Sequence, residues 1–197
     1  MNDINTVKEL KRYIMDYIRG GKLNEESIPI LNYLIDINKT SFISFDSQPY
    51  KNTINDGVEY IQRAYINGIY PKRKIGKLVK RLPVGIVLSE TRLNKEKDEL
   101  YLYGNKDKET PLVNKLEVCF QKDKPELYPM FKNGDKWIRG YAGNVINPQS
   151  RDLLENFNKE LNNEIEKEYS LVQIWPENIN NSLFKILKEC LYKIDDE

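Results

Sequence analysis

Histidine is absent from the 197-residue sequence, and cysteine occurs only twice. Without imidazole the chain cannot build the catalytic triads that depend on histidine, and two thiols are too few for the usual structural zinc site. Carboxylates are then the main side chains left for acid–base chemistry or for binding a hard cation such as magnesium. The composition argues against a zinc enzyme, and we expect neither a metal nor a cofactor.

The sequence also lacks an excess of charge of one sign and a long apolar run. Lysine plus arginine number 31 and aspartate plus glutamate number 30, so no overall field attracts nucleic acid or an anionic membrane. No apolar run is long enough to span a bilayer, and the N-terminal residues lack the apolar core of a secretory signal. We therefore expect a cytoplasmic protein that binds neither a membrane nor nucleic acid.

The apolar residues follow helical spacing in some segments and strand-like alternation in others. The pattern predicts an α/β or α+β fold with a mixed β-sheet of about five to seven strands, flanked by about five helices. The chain length favours a single globular domain over residues 1–197, with an N-terminal helical pair over residues 1–38. A helix, strand, helix order near the C-terminus indicates a crossover unit, which is the reason for expecting a mixed sheet.

The individual elements follow from this pattern and from its turn residues. Helices are predicted over residues 5–19, 24–38, 72–82, 147–168 and 178–194. Strands are predicted over residues 41–45, 58–66, 84–89, 100–103, 113–120 and 170–175.

Residues 40–68 are the best candidate for a functional site. The first strand in this stretch, over residues 41–45, is followed by Asp46-Ser47-Gln48-Pro49, where proline removes a backbone donor and fixes a loop. The second strand, over residues 58–66, places Gln62 on an otherwise apolar face. Hydroxyl and amide groups at a strand end can recognise phosphate or carboxylate. The alternative is a structural role, because polar side chains in a loop often form hydrogen bonds only to the nearby backbone and so hold the loop in place.

Two short motifs in the same stretch resemble an uncharacterised domain family. Members of that family carry Thr-x-x-Ser-Gln-Pro-Gly and, later, Gln-Arg-Ala-x-x-x-Gly. The matching residues are Ser44, Ser47, Gln48, Pro49, Gln62, Arg63, Ala64 and Gly68. The chain departs from the pattern at Tyr50, where the family usually has glycine. The resemblance implies a shared fold and, since the function of the family is unknown to us, no activity.

Residues 121–148 are rich in proline and glycine and also hold several aromatic residues. Long segments of this kind in compact domains are usually functional or disordered, and the aromatic content argues against disorder. We expect an ordered loop over a pocket, with Trp137 and Tyr141 on one face of a short strand and Arg139 on the other. The alternative is that the rings form a small additional core.

These features favour a non-enzymatic binding protein for an anionic or nucleotide-like small molecule. The heavy use of asparagine, lysine and isoleucine is typical of AT-rich genomes, including those of many viruses and phages. For such a source, sequestering a host signalling nucleotide in the host cytoplasm is a natural use. The predicted ligand-binding residues are Ser47, Gln48, Tyr50, Gln62, Arg63, Tyr65, Trp137, Arg139 and Tyr141.

Two other functions stay open at this point. One is a histidine-independent hydrolase or transferase with Asp46 or Glu59 as acid or base and Arg63 stabilising negative charge. The other is a protein-interaction module, such as a homo-oligomer, that uses the basic face of the helix over residues 72–82. That basic face is also compatible with plain solvated surface. Its residues are Lys72, Arg73, Lys74, Lys77, Lys80 and Arg81.

Overall fold

The computed structural model describes residues 4–21, 23–55, 58–62, 64–93, 99–107, 110–115, 118–120, 129–133, 136–139, 157–176 and 182–197. Within these ranges the chain forms five α-helices, as the sequence predicts. The helices are α1 (Val7–Arg19), α2 (Leu31–Lys39), α3 (Lys72–Arg81), α4 (Lys159–Glu168) and α5 (Leu183–Asp195), and a 3₁₀ helix spans Glu25–Ile30. No described helix is long and apolar enough to cross a membrane.

The strands of the described ranges are shorter and more numerous than the helices. They are β1 (Ile43–Gln48), β2 (Lys51–Asn55), β3 (Val58–Gln62), β4 (Tyr65–Pro71), β5 (Ile86–Arg92), β6 (Glu99–Asp107), β7 (Thr110–Lys115), β8 (Val118–Phe120), β9 (Pro129–Asn133), β10 (Lys136–Arg139) and β11 (Tyr169–Pro176). The order β1–β4–β11–β5–β6–β7 forms the central sheet, while β8–β10 and β2–β3 form two small sheets.

The central sheet is antiparallel in all its described pairs, so the predicted mixed sheet is wrong. The helix, strand, helix order around β11 suggested a crossover, but β11 pairs antiparallel with both of its neighbours, β4 and β5. The two apolar cores under the helices contain residues of β1, β4, β11 and β5, and Tyr103 of β6 adds to one of them. The fold is therefore α+β, with an antiparallel sheet.

Helices pack on both faces of this sheet and create two apolar cores. On one face, α2, α3 and α5 pack against alternate strand residues such as Ile66, Leu88 and Ile174. On the other face, α1 and α4 pack against Ile69 and Leu171. We call these surfaces the α5 face and the α4 face. Because side chains alternate along a strand, adjacent residues of β4, β5 and β11 point to opposite faces.

Gly68 allows β1 and β4 to lie close together. It is opposite Ser44 in the register of the two strands. A Cβ atom at this position would lie 2.5 Å from Cε1 of Phe42, and it would also overlap the carbonyl oxygen of Ile43. The glycine is required by packing, since an aromatic ring occupies the place of its missing side chain.

The segment after β1 differs from the prediction. Residues 51–55 were expected to be loop and residues 58–66 one strand, whereas β2 and β3 form a hairpin that ends before β4 begins. The register pairs Asn55 with Val58, and the sequence between them, Asp-Gly, is typical of two-residue hairpins. The strand β2 was not predicted because its sequence is mostly polar and lacks the apolar–polar alternation of a half-buried strand.

Three other segments also differ from their predicted extents. The helix predicted over residues 24–38 begins as a 3₁₀ helix containing Pro29 and becomes α-helical at Leu31. The predicted loop over residues 121–148 contains β9 and β10, which pair antiparallel. In the long helix predicted to Glu168, the described part is α4, whose N-cap Asn158 accepts a hydrogen bond from the Leu161 amide. The predicted beginning of that helix, over residues 147–156, lies outside the described residues.

Candidate functional site

A β-bulge in β1 sets the direction of the Asp46 side chain. Phe45 is the extra residue, because the pairing with β4 shifts between Ser44 and Asp46. A bulge re-aims the side chain that follows it, and here it places Asp46 opposite Asn67, on the α4 face. Asn67 Nδ2 and the Tyr65 hydroxyl each donate to Asp46 Oδ2 over 3.1 Å. The carboxylate is therefore fixed in position although the residue is exposed.

A cavity of about 360 Å³, here called the α1–β1 cavity, lies between α1 and β1. Its volume lies within the range of small-molecule sites, roughly 300–1,000 Å³. Its apolar lining residues are Leu10, Ile14, Ile18, Leu23, Leu34, Ile43, Phe45 and Phe157. Its polar lining residues are Tyr13, Tyr17, Asn24, Ser27, Ser44, Asp46, Ser47 and Gln48. A lining that combines apolar and polar side chains can both bury a ligand and orient it.

Two tyrosine rings form the outer part of the α1 wall. Tyr13 and Tyr17 are one helical turn apart and are 43% and 41% exposed. Their rings offer flat apolar faces, and each hydroxyl adds a polar group at the edge. On the opposite wall, Asp46 carries the only charge in the lining that the structure describes. The α1–β1 cavity is suited to a flat ligand with N–H donors rather than to an anion.

The buried side chain of Asn38 fixes the strand wall of the α1–β1 cavity. Its Nδ2 donates to Ser44 Oγ over 2.6 Å and to the Leu34 carbonyl oxygen over 2.9 Å, and its Oδ1 accepts from the Ser44 amide over 2.9 Å. These bonds tie the end of α2 to β1 immediately before the bulge. Sequence reasoning missed Asn38, because one asparagine in a helix has no spacing that distinguishes it.

The structure brings part of the predicted site together. Ser47 and Gln48 line the α1–β1 cavity with Asp46, and Tyr65 bonds to Asp46 beside it. Tyr50 instead lines a second cavity, of about 530 Å³. The other residues of that second lining are Glu25, Glu26, Pro29, Ile30, Tyr33, Pro49, Lys51 and Phe184.

The remaining predicted residues lie on other elements or outside the described ranges. Glu59 and Gln62 belong to β3, and Trp137 and Arg139 belong to β10. Arg63 and Tyr141 lie outside the described residues. The tyrosines of α1 were missed as site residues because their helical spacing groups them with the apolar residues of the predicted helix over residues 5–19. The signal that could have found them is that two rings lie one turn apart on the same helix.

The basic face of α3 is engaged by other parts of the chain. Lys72 donates to the Glu166 carbonyl oxygen, and Lys74 forms an ion pair with Asp195. Lys77 and Arg81 both form ion pairs with Glu197. Burial raises the pKa of Asp195, but hydrogen bonds from Lys74 and Ser41 outweigh this effect and the pKa is lowered. The ion pairs offset part of the positive charge that the interaction-module hypothesis would use.

A buried carboxylate lies on the α5 face of β5. Glu90 is 0% exposed and accepts hydrogen bonds from Ser170 Oγ over 2.7 Å and from the Tyr103 hydroxyl over 2.6 Å. Arg92 donates to the same carboxylate from Nε over 2.8 Å, and its guanidinium lies 4.3 Å from the centre of the Tyr101 ring. The hydrogen bond to Glu90 raises the pKa of Arg92. We call this set of residues the Glu90 cluster.

A second polar group lies on the α4 face of the same strands. We call it the polar row, and it consists of Asn67, Gln173, Ser89 and Thr91. Gln173 lies opposite Asn67 in β4 and opposite Ser89 in β5. Each member is at most 2% exposed. Five of its atoms have no hydrogen-bond partner in the described structure: Asn67 Oδ1, Gln173 Nε2, Gln173 Oε1, Ser89 Oγ and Thr91 Oγ1.

No protein-family model and no curated protein sequence matches the chain. The resemblance of residues 44–68 to an uncharacterised domain family therefore stays a prediction. Function has to be inferred from the geometry of the α1–β1 cavity and from the polar groups beside it.

Proposed function

We propose that the protein is a non-enzymatic binding protein for a nucleotide-like small molecule, which it holds in the α1–β1 cavity. The observation that carries this proposal is the pairing of two exposed tyrosines, Tyr13 and Tyr17, with Asp46, Ser47 and Gln48 on the facing wall. A planar ring can stack on tyrosine while its N–H groups donate to carboxylate and amide oxygens. A nucleobase offers both kinds of contact.

The charge of the lining indicates which part of a nucleotide enters. The sequence favours an anionic ligand, with Arg63 and Arg139 among its contacts. In the described lining, however, the charged group is the carboxylate of Asp46. A phosphate beside that carboxylate would be repelled, whereas a base with N–H donors would be attracted. We therefore place the base in the α1–β1 cavity and any phosphate outside it, in water.

Such a protein would act by sequestering its ligand. Lowering the free concentration of a small molecule requires affinity and no turnover, which suits a chain without histidine. If the AT-rich composition reflects a viral or phage source, a host signalling nucleotide would be the natural ligand and counter-defence the use.

The first test is a thermal-shift screen of the four ribonucleosides, their monophosphates, ribose 5-phosphate and inorganic phosphate. A ligand at a hundred times its dissociation constant should stabilise the fold by about 2.7 kcal/mol, which moves the melting temperature measurably. We expect shifts with compounds that carry a base and none with ribose 5-phosphate or phosphate. Shifts with the two base-free compounds alone would contradict the proposal.

The Asp46→Asn variant tests the assigned contact. Replacing the carboxylate removes a charge-assisted hydrogen bond, so affinity for the ligand found in the screen should fall about 10- to 100-fold. Titration calorimetry measures this change directly. The matched control is Asp16→Asn, an exposed aspartate on α1 that does not line the cavity, and it should bind like the wild type. Equal affinity of the Asp46 variant and the control would remove Asp46 from the site.

A carboxylate-based hydrolase or transferase is the second candidate. It is favoured by one observation, the exposed Asp46 carboxylate held between Tyr65 and Asn67 at the edge of the α1–β1 cavity. Chromatography of each ligand after incubation separates the two functions. Recovery of an altered ligand that requires Asp46 would establish the enzyme, and recovery of the intact ligand supports the binding protein.

A further inference from the structure

The second cavity, of about 530 Å³, has a lining of its own and shares no residue with the lining of the α1–β1 cavity. Its walls come from the 3₁₀ helix, from Tyr33 of α2, from residues 49–51 and from Phe184 of α5. Ile30 and Phe184 are buried and belong to the apolar core of the α5 face. The cavity therefore combines an apolar floor with a volume that suits a small molecule.

Two aromatic rings line the second cavity. Tyr33 and Tyr50 are half-buried and pack against the apolar core of the α5 face, which holds their rings in place. The face of an aromatic ring carries partial negative charge and attracts a cation. The chain itself shows this attraction, because Lys188 Nζ lies 5.9 Å from the centre of the Tyr33 ring. Lys188 is not part of the lining, and its charge is paired with Asp36 over 2.9 Å.

The charged residues of the second lining leave one negative charge in excess. They are Glu25, Glu26 and Lys51. Lys51 Nζ forms an ion pair with Glu26 Oε1 over 2.5 Å, whereas the Glu25 carboxylate has no such partner in the part of the chain that the structure describes. An anion would be repelled from this lining, and a cation would be attracted to it.

We propose that the second cavity binds a small organic ammonium ion. The carboxylate of Glu25 supplies the opposite charge, and the rings of Tyr33 and Tyr50 attract the charged head through their faces. The carbon substituents of the ion contact the apolar floor at Ile30 and Phe184. This floor selects an organic cation over a bare metal ion, which would lose its hydration there without gaining enough oxygen ligands.

NMR titration of the protein with two ammonium ions and their uncharged analogues tests the proposal. The pairs are choline with dimethylbutanol, in which carbon replaces the nitrogen, and butylammonium with butanol. We expect an ammonium ion to bind at least about tenfold more tightly than its analogue, because the analogue loses both the ion pair and the cation–π attraction. Equal binding within both pairs, or no binding of either ammonium ion, would overturn the proposal.

Two variants of exposed residues should change the affinity for the ammonium ion in opposite directions. Glu25→Gln removes the unpaired carboxylate and should weaken binding about three- to fivefold, whereas Lys51→Met releases Glu26 and should strengthen it by a similar factor. The matched controls are Glu189→Gln and Lys167→Met, which alter exposed residues outside both linings and should bind like the wild type. Equal affinities of the Glu25 and Glu189 variants would overturn the proposal.

The contribution of the ring is tested separately at Tyr50. Tyr50→Phe keeps the aromatic face and should bind the ammonium ion like the wild type, whereas Tyr50→Leu should weaken binding about threefold. The melting temperature of each variant shows whether it is folded. Equal affinities of folded Phe and Leu variants would remove the ring from the site. These results do not depend on the base proposed for the α1–β1 cavity, because the two linings are separate.

Discussion

Two polar groups on opposite faces of the same strands differ in how their hydrogen bonds are satisfied. Ser89, Glu90 and Thr91 are consecutive in β5, so Glu90 lies on the α5 face and its two neighbours lie on the α4 face. The carboxylate of Glu90 accepts bonds from three side chains, whereas the hydroxyls of Ser89 and Thr91 have no partner in the described structure. The charged group therefore finds its hydrogen-bond partners within the chain, whereas the neutral groups do not.

The difference separates a polar cluster whose hydrogen bonds are satisfied within the fold from a polar row whose hydrogen bonds are not. A buried charge must be paired, and Glu90 is paired by the fold itself. The Glu90 cluster therefore needs no ligand to explain it, although a buried ion pair is often the first feature examined for a function. The polar row is the reverse case, because five of its neutral atoms have no partner in the described structure. Variants that act on one face should leave the other unaffected.

The largest effect is expected for Glu90→Gln. The amide removes the negative charge and turns one oxygen into a donor that faces the guanidinium of Arg92. Breaking one partner of a buried pair typically costs about 3–5 kcal/mol. Because the Arg92 side chain is 43% exposed and can be hydrated, we expect a smaller loss, of about 2–3 kcal/mol in the free energy of unfolding.

Urea denaturation measures this loss. The control is Glu189→Gln, an exposed glutamate on α5, which should change stability by less than about 0.5 kcal/mol. Nucleoside binding by the folded Glu90→Gln protein should match that of the wild type. A loss of binding without a loss of stability would show that the Glu90 cluster belongs to the site.

Alkaline pH should act on the Glu90 cluster through Tyr103. Burial, together with the hydrogen bond to Glu90, raises the pKa of Tyr103 above its ordinary value of 10.0. A group whose pKa is raised on folding stabilises the protein below its unfolded pKa, and this stabilisation is lost as the pH rises. We therefore expect the free energy of unfolding to decrease above about pH 10.

Tyr103→Phe isolates this contribution. At neutral pH the variant should lose about 1–2 kcal/mol, since Glu90 keeps its bonds to Ser170 and Arg92. Above about pH 10 its stability should fall less steeply than that of the wild type. Some decrease should persist, because burial also raises the pKa of Tyr70. Denaturation at a series of pH values gives both slopes, and parallel slopes would contradict the role of Tyr103.

Most of the helices could be predicted from the sequence, because their apolar spacing and end signals are local. Thr6 and Glu9 form the capping box of α1, and Gly21 beyond its end has a φ of 66°. The pairing of β11 was not predictable in this way. Strand direction depends on which neighbours the folded chain supplies, and the helix, strand, helix order alone favoured the wrong arrangement.

The candidate site was predictable only in part. Ser47 and Gln48 could be found because the proline that follows them is a local signal, although both belong to β1 and not to the predicted loop. The side to which Asp46 points could not, since it depends on a bulge that is defined by pairing with β4. The polar row comes from three strands far apart in sequence. Gln173 looks like a single polar residue in an apolar run, and Ser89 begins the polar end of its strand.

The smallest change in the free energy of unfolding is expected for variants on the α4 face, and it is a gain where the other variants give a loss. The double variant Ser89→Ala and Thr91→Val removes two buried hydroxyls that have no partner in the described structure. The ligand-free protein should gain up to about 1 kcal/mol, because apolar groups of similar shape avoid the penalty of unpaired polar atoms. Urea denaturation without ligand measures this gain. A structural role would instead give a loss of about 1 kcal/mol or more, as expected when buried hydroxyls hold the fold together. A gain would show that the unpaired hydroxyls lower the stability of the fold, whereas the Glu90 cluster on the opposite face raises it.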